Sequence, residues 1–179
     1  MLPITPAGLL IDRQALTVLR GVLAAALPDE GCALLLGRGA PGGRLWWLQR
    51  VWPALNTWEP AGERSHRFQL DPREQLLAQR WARSRGLAVL GAAHSHPAGR
   101  PVPSATDLAL TAGPTLMLIL APPALGGPPC AGAGPREEPL AEGMAEGMEG
   151  GLGCWWLSEG AELGVPAAPP SPLMWRMVD

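Results

Sequence analysis

Lysine and tyrosine are absent from this 179-residue chain, phenylalanine occurs once and histidine three times. All fourteen basic residues are therefore arginines, and against sixteen acidic residues they leave a formal charge of −2. That balance argues against a nucleic-acid footprint, which needs a basic surplus concentrated on one face. The missing lysine and tyrosine accompany abundant Ala, Gly and Pro, the signature of codon bias in a GC-rich genome. Cysteine is scarce too. Cys32, Cys130 and Cys154 form no C-x-x-C pair and leave an odd count, which argues against a secreted disulfide framework and for reduced thiols. The N-terminus lacks a basic stretch followed by an apolar run and a small-residue cleavage site. The longest early apolar stretch, residues 15–27, is interrupted by Arg20 and is too short to span a bilayer. These absences predict a cytoplasmic protein with neither a membrane nor a nucleic-acid partner.

What is present is a globular balance, 47% apolar and 17% charged, over a length that suits one domain. Residues 8–11 suit a first strand, Asp12 an N-cap, and Leu16, Leu19, Leu23 and Leu27 recur at helical spacing up to Pro28. Residues 32–37 and 44–52 read as a hairpin around a Gly-rich turn. Residues 65–70 alternate like a short strand. Asp71-Pro72 opens a second helix as N-cap and N1, with Leu76, Leu77 and Trp81 expected to face inward and Gly86 to end it. Residues 87–96 suit a central strand, 104–111 a short helix and 115–121 another strand. Fifteen of the 32 residues in 122–153 are Gly or Pro and five are Glu, a composition that predicts a flexible insertion. The expected organisation is a core over 1–121, this insertion over 122–153, and a final strand with a C-terminal tail over 154–179 completing the domain. Within that tail, residues 154–157 suit the strand, whereas 166–172 carry no fold signal. Strands and helices mix without strict alternation, so the predicted class is α+β, a mixed β-sheet flanked by helices.

The chemistry concentrates in residues 91–107, Gly-Ala-Ala-His-Ser-His-Pro-Ala-Gly-Arg-Pro-Val-Pro-Ser-Ala-Thr-Asp. At a strand end the i, i+2 spacing of His94 and His96 puts both imidazoles on one face. A proline-rich turn lets the chain double back, so that Asp107 can supply a carboxylate. Two His and one Asp, with a fourth position left to water, is the ligand count of an open catalytic zinc site. Ser104-Ala-Thr-Asp107 reads equally as a helix capping box, which explains the Ser and the Asp without a metal. It leaves unexplained why two of the three histidines stand two positions apart. Upstream, Glu30 lies where the first helix gives way to an apolar strand.

Together these residues, Glu30, His94-Ser-His96, Ser104 and Asp107 at their spacing, resemble the zinc-site signature of the JAMM metalloproteases, also called MPN-plus or JAB domains. Residues 67–72, Arg-Phe-Gln-Leu-Asp-Pro, the helix after them and the apolar run into His94 resemble the compact bacterial members, and the resemblance covers roughly residues 9–120. It implies a cytidine-deaminase-like core and one Zn2+ per chain, held by His94, His96 and Asp107. It also implies that the metal lowers the pKa of a bound water towards about 7. Glu30 would then act as general base and acid, and Ser104 would donate to the oxyanion of the tetrahedral intermediate without being a nucleophile. One departure is Ala33, where members often carry Gly after the Cys. The insertion is another.

The activity so implied is hydrolysis of a peptide or isopeptide bond at the C-terminal tail of a ubiquitin-like or sulfur-carrier protein. That tail is expected to add as a strand beside the sheet. Two other readings stay open: a non-catalytic MPN-type protein-binding scaffold, and a small-molecule amidohydrolase using the same site. No H-E-x-x-H is present, which excludes the other common zinc-protease arrangement. Asn56 is a candidate for ordering the site, His66 reads as a surface histidine, and Cys32 as a buried small hydrophobe.

Overall fold

The computed structural model describes residues 5–39, 44–111, 113–122, 151–158 and 169–179. Strand β1 (Gly8–Asp12) runs directly into helix α1 (Arg13–Ala25). Asp12 makes the change of direction, its carboxylate accepting from the backbone N–H groups of Gln14 and Ala15, which have no partner within the helix. Leu16, Leu19 and Leu23 bury one face of α1. At roughly 1.5–3 kcal/mol each these leucines outweigh the cap's ~1 kcal/mol, so packing holds the helix and the cap fixes its start. Leu27, expected to continue the stripe, lies past the helix end and is 58% exposed.

Strands β2 (Cys32–Gly39) and β3 (Leu45–Ala54) form the expected antiparallel hairpin, and residues 40–43 of its turn lie outside the described residues. After helix α2 (Pro72–Arg83), strand β4 (Ala88–Ser95) pairs antiparallel with β2. Its other edge pairs in parallel with β5 (Thr115–Leu120), beyond helix α3 (Ala105–Leu110). Strands β6 (Leu152–Leu157), β7 (Ser171–Pro172) and β8 (Trp175–Val178) complete one mixed sheet in the order β7-β6-β5-β4-β2-β3-β1-β8. The class is α+β.

The period-two alternation of the strands divides the core. Ala33 and Leu35 of β2 join Leu116 and Leu118 of β5 in the layer under α1. Leu34 and Leu36 point the other way, onto Ala78 and Ala82 of α2. Met117 and Ile119 share a third cluster with Leu157, Leu108 of α3 and Trp155. Among the described residues no helix is long and apolar enough to cross a membrane.

The structure corrects several expectations. Residues 65–70 make no strand and form one isolated bridge, Asn56 to Leu70, because side chains take main-chain groups that a ladder would use: Asn56 bonds the Arg67 carbonyl and the Gln69 N–H, and Thr57 Oγ1 donates to the Gln69 carbonyl. Helix α2 turns Ala78 and Ala82 inward and keeps Trp81 half-buried, leaving Leu76 and Leu77 59% and 49% exposed. Small side chains let the helix approach Leu34 and Leu36 closely, and the larger leucines fall on the opposite face. Residues 171–172, within the stretch without a fold signal, pair with β6, and Trp175–Val178 adds in parallel to β1. Pro172 is tolerated because β7 is an edge strand. Of the expected insertion, residues 123–150 lie outside the described residues, whereas Leu152 and Gly153 already belong to β6.

Gly91 shows how tightly β4 and β5 meet, since a Cβ there would collide with the Leu116 carbonyl oxygen. Gly91→Ala is expected to destabilise the fold by about 1–3 kcal/mol through overpacking. The check is a urea melt, which should show a lower midpoint at an unchanged m-value.

Candidate metal centre

The centre forms where β4 ends. His94 lies on β4, and His96 follows just beyond it, its N–H donating to the Leu120 carbonyl at 2.8 Å so that the chain stays beside β5. Pro97, Pro101 and Pro103 then turn the chain back to Ser104, the N-cap of α3. The Ser104 N–H donates to Asp107 Oδ2 at 2.7 Å, and the Asp107 N–H donates to Ser104 Oγ at 3.2 Å. Capping box and ligand cluster, alternatives in the sequence, therefore coexist. The box is what fixes the Asp107 carboxylate against the histidines.

His94 Nε2 lies 2.9 Å from His96 Nε2 and 3.4 Å from Asp107 Oδ1, and His96 Nε2 lies 3.5 Å from Asp107 Oδ2. A tetrahedral zinc with bonds of about 2.0–2.1 Å separates its ligand atoms by about 3.3 Å, so these distances fit three corners of such a polyhedron. The three residues are positioned to bind a metal ion, and among the described residues no fourth His, Cys, Asp or Glu joins the group. Cys32 pairs across from His94, but burial and then the charge of Glu30 push its thiol up to about 12. It stays protonated and donates to the Ala54 carbonyl at 3.6 Å.

Outer contacts orient the ligands. His96 Nδ1 donates to the Arg100 carbonyl at 2.8 Å, which leaves the Nε2 lone pair facing the centre. His94 is fully buried and stacks on Phe68, ring centroids 4.3 Å apart and planes 20° apart. Its Nδ1 meets no hydrogen-bond partner among the described residues. On its Nδ1 side, packing and not a hydrogen bond holds this ring.

Glu30 reaches the same place because β2 runs antiparallel to β4. The Gly31 N–H donates to Ser95 Oγ at 2.8 Å and the Ser95 N–H to the Gly31 carbonyl at 3.0 Å. Asn56, the chain's only asparagine, ties the other side: its Nδ2 donates to the carbonyls of Glu30 and Arg67, and its Oδ1 accepts from the N–H groups of Trp58 and Gln69. Asn56→Ala strands these groups and is expected to cost about 1–3 kcal/mol of stability. It should lower turnover more than metal affinity, which thermal melts, metal titration and kinetics together resolve.

Burial pushes the Glu30 carboxyl up to about 7, with His96 opposing and Asp107 adding to the rise. Burial also opposes ionisation of Asp107, yet the two histidines and the Ser104 N–H outweigh it and hold this carboxyl well below the usual range. His94 is pushed down, mainly by burial. An anionic Asp107 beside a neutral His94 is the protonation state in which ligands accept a metal.

A groove of about 630 Å³ leads away from Asp107 and Phe68 between α2 and α3, floored by Leu34, Val89, Ala92 and Met117. Both edges of β4 are taken, by β2 and β5. A strand added beside the sheet, as the sequence leads one to expect, would have to use an edge other than those of β4.

His94, His96, Asp107 and Ser104 come together as expected, and Glu30 lies within electrostatic reach of them. His66 is exposed and bonded to Ser65 Oγ, apart from the cluster. Sequence reasoning missed Phe68 and Ser95. Phe68 is the chain's single phenylalanine and Ser95 sits between the two histidines, so each carried a signal.

A mixed sheet with a His-x-His pair at a strand end and an Asp on the next helix defines a small α+β protein with three side chains positioned to bind a metal ion. The model of the family described as prokaryotic homologs of the JAB domain matches residues 12–129, and the chain belongs to that family. The solution structure of protein DSY2949 from Desulfitobacterium hafniense is similar in fold, with a TM-score of 0.68 at 24% identity over 96% of this chain and 93% of that one. AF2198, a JAB1/MPN domain protein from Archaeoglobus fulgidus, matches at 22% identity and a TM-score of 0.39 over 62% of this chain and 76% of its own. No curated protein matches the sequence.

Proposed function

We propose that the protein is a zinc metallopeptidase that hydrolyses a peptide or isopeptide bond at the C-terminal tail of a ubiquitin-like or sulfur-carrier protein. The observation that carries this reading is the convergence of His94 Nε2, His96 Nε2 and the Asp107 carboxylate with no fourth protein ligand among the described residues. When bound there, zinc supplies Lewis-acid polarisation of a carbonyl and acidification of a water.

This chain's own residues supply the rest. The Glu30 carboxylate, buried just before β2 beside the centre, takes a proton from the attacking water and returns it to the departing amine. Ser104 Oγ accepts the Asp107 N–H, an arrangement that leaves its own O–H free to donate to the oxyanion that develops on the scissile carbonyl. The groove from Asp107 receives the extended tail, its apolar floor excluding water and orienting the carbonyl at the centre.

The test is incubation of the zinc-loaded protein with a sulfur-carrier protein bearing residues beyond a terminal Gly-Gly, followed by intact mass. Release of the extra residues, stopped by a chelator and restored by zinc, is expected. An unchanged mass across a panel of ubiquitin-like proteins, with turnover confined to small amides, would replace this reading with the amidohydrolase one.

A further inference from the structure

β6 contributes nothing to the three ligands, and β5 separates it from β4. It nevertheless supports two of them. The indole Nε1 of Trp155 donates to the Pro101 carbonyl at 2.9 Å. Pro101 is the middle residue of a tight turn in which the Val102 N–H donates to the Arg100 carbonyl at 2.8 Å. That same Arg100 carbonyl accepts His96 Nδ1. A chain of three contacts thus runs from Trp155 through the 100–102 turn to the ring nitrogen that sets which lone pair His96 presents. The Trp155 ring also packs in the cluster that contains Leu108, the neighbour of Asp107 on α3.

Gly153 lies two residues earlier, on the same face of β6. A Cβ there would collide with the Pro101 carbonyl oxygen and stand 2.6 Å from Trp155 Nε1. Only glycine admits the turn this close to the strand. Trp156, by contrast, points to the opposite side of the sheet, where it is buried edge-on against Trp46.

We infer that Trp155, with Gly153 making room for it, is a positioning residue for the metal centre, clamping the 97–103 turn to β6 so that His96 is locked in its Nδ1–H tautomer with Nε2 facing the other ligands. The inference rests on the proposed metal centre for its purpose, but the clamp itself can be read without metal. A merely structural Trp155 would fill space between β6 and α3, and its N–H would not affect His96.

The experiment uses the full chain labelled with 15N-histidine, metal-free, at about pH 8.5, where an ordinary imidazole is neutral. Wild type is expected to show the Nδ1–H pattern at His96. Trp155→Phe, which keeps an aromatic ring and removes the donor, is expected to shift His96 to a mixture of tautomers at a thermal midpoint close to wild type. Gly153→Ala, which leaves the indole intact and displaces Pro101, should shift it the same way and keeps the test decisive if Trp155→Phe does not fold. Trp156→Phe should leave His96 unchanged. In zinc titrations, Trp155→Phe and Gly153→Ala should each weaken binding about 10–100-fold, the range seen for outer contacts of metal ligands. A wild-type tautomer in both variants overturns the clamp, as does an equal shift in Trp156→Phe. A wild type that binds no zinc but loses its tautomer in Trp155→Phe sinks the metal reading and upholds the clamp.

Discussion

Glu30→Gln is expected to lower peptide-bond turnover by about 10²–10⁴-fold, the usual contribution of a positioned acid–base group, while zinc binding stays as in wild type. Glutamine keeps the size and polarity of the side chain and cannot exchange a proton. The contacts that hold position 30 are main-chain ones, the Glu30 N–H to the Arg64 carbonyl and the Glu30 carbonyl from Asn56, so the substitution leaves them in place. Stability moves in the opposite direction. In metal-free protein burial lifts the Glu30 carboxyl from its ordinary 4.5 to about 7, so the folded state holds this proton more tightly than the unfolded chain. The stability linked to that proton is full below about 4.5 and is lost as pH rises through 7. Glutamine has no proton to lose. The variant's advantage in thermal stability should therefore be absent in acid and present at pH 8, opposite to its effect on activity. Turnover unaffected by Glu30→Gln would remove Glu30 from the chemistry.

Asp107 is expected to be the most damaging ligand to lose, because its carboxylate serves two structures at once. It faces both histidines, and it completes the capping box that starts α3. With zinc about a hundredfold above its dissociation constant, wild type should gain about 2.7 kcal/mol of stability. Neither Asp107→Ala nor Asp107→Asn should show that gain. The two variants should differ without metal. Asparagine retains an oxygen for the Ser104 N–H, whereas alanine removes it and should cost a further 0.5–2 kcal/mol or about that range, typical of a lost cap. Denaturant melts of both variants with and without zinc separate the ligand role from the cap.

Much of this was legible in the sequence, for identifiable reasons. Asp12 and Asp71-Pro72 announce helix starts because capping is local chemistry. His94, His96, Ser104 and Asp107 fall within fourteen residues, so spacing alone suffices to bring them together. Glu30 is different: a carboxylate at a strand start has no local signature, and it stood out only through the resemblance of the whole set. The inward face of α2 was misread because side-chain size does not report how closely a helix approaches a sheet, and here alanines made the contact. Strands β7 and β8 were invisible because each is short and depends on partners far away in the chain. Trp155 was illegible for a related reason, since its role comes from a carbonyl 54 positions earlier that only the folded sheet brings within reach.

The most direct test of the central claim is elemental analysis of the purified protein after reconstitution with zinc and removal of the excess. The account predicts about one zinc per chain, the stoichiometry of a single three-ligand centre. Protein that retains no zinc would contradict it, leaving His94, His96 and Asp107 as a buried polar cluster beside a helix cap.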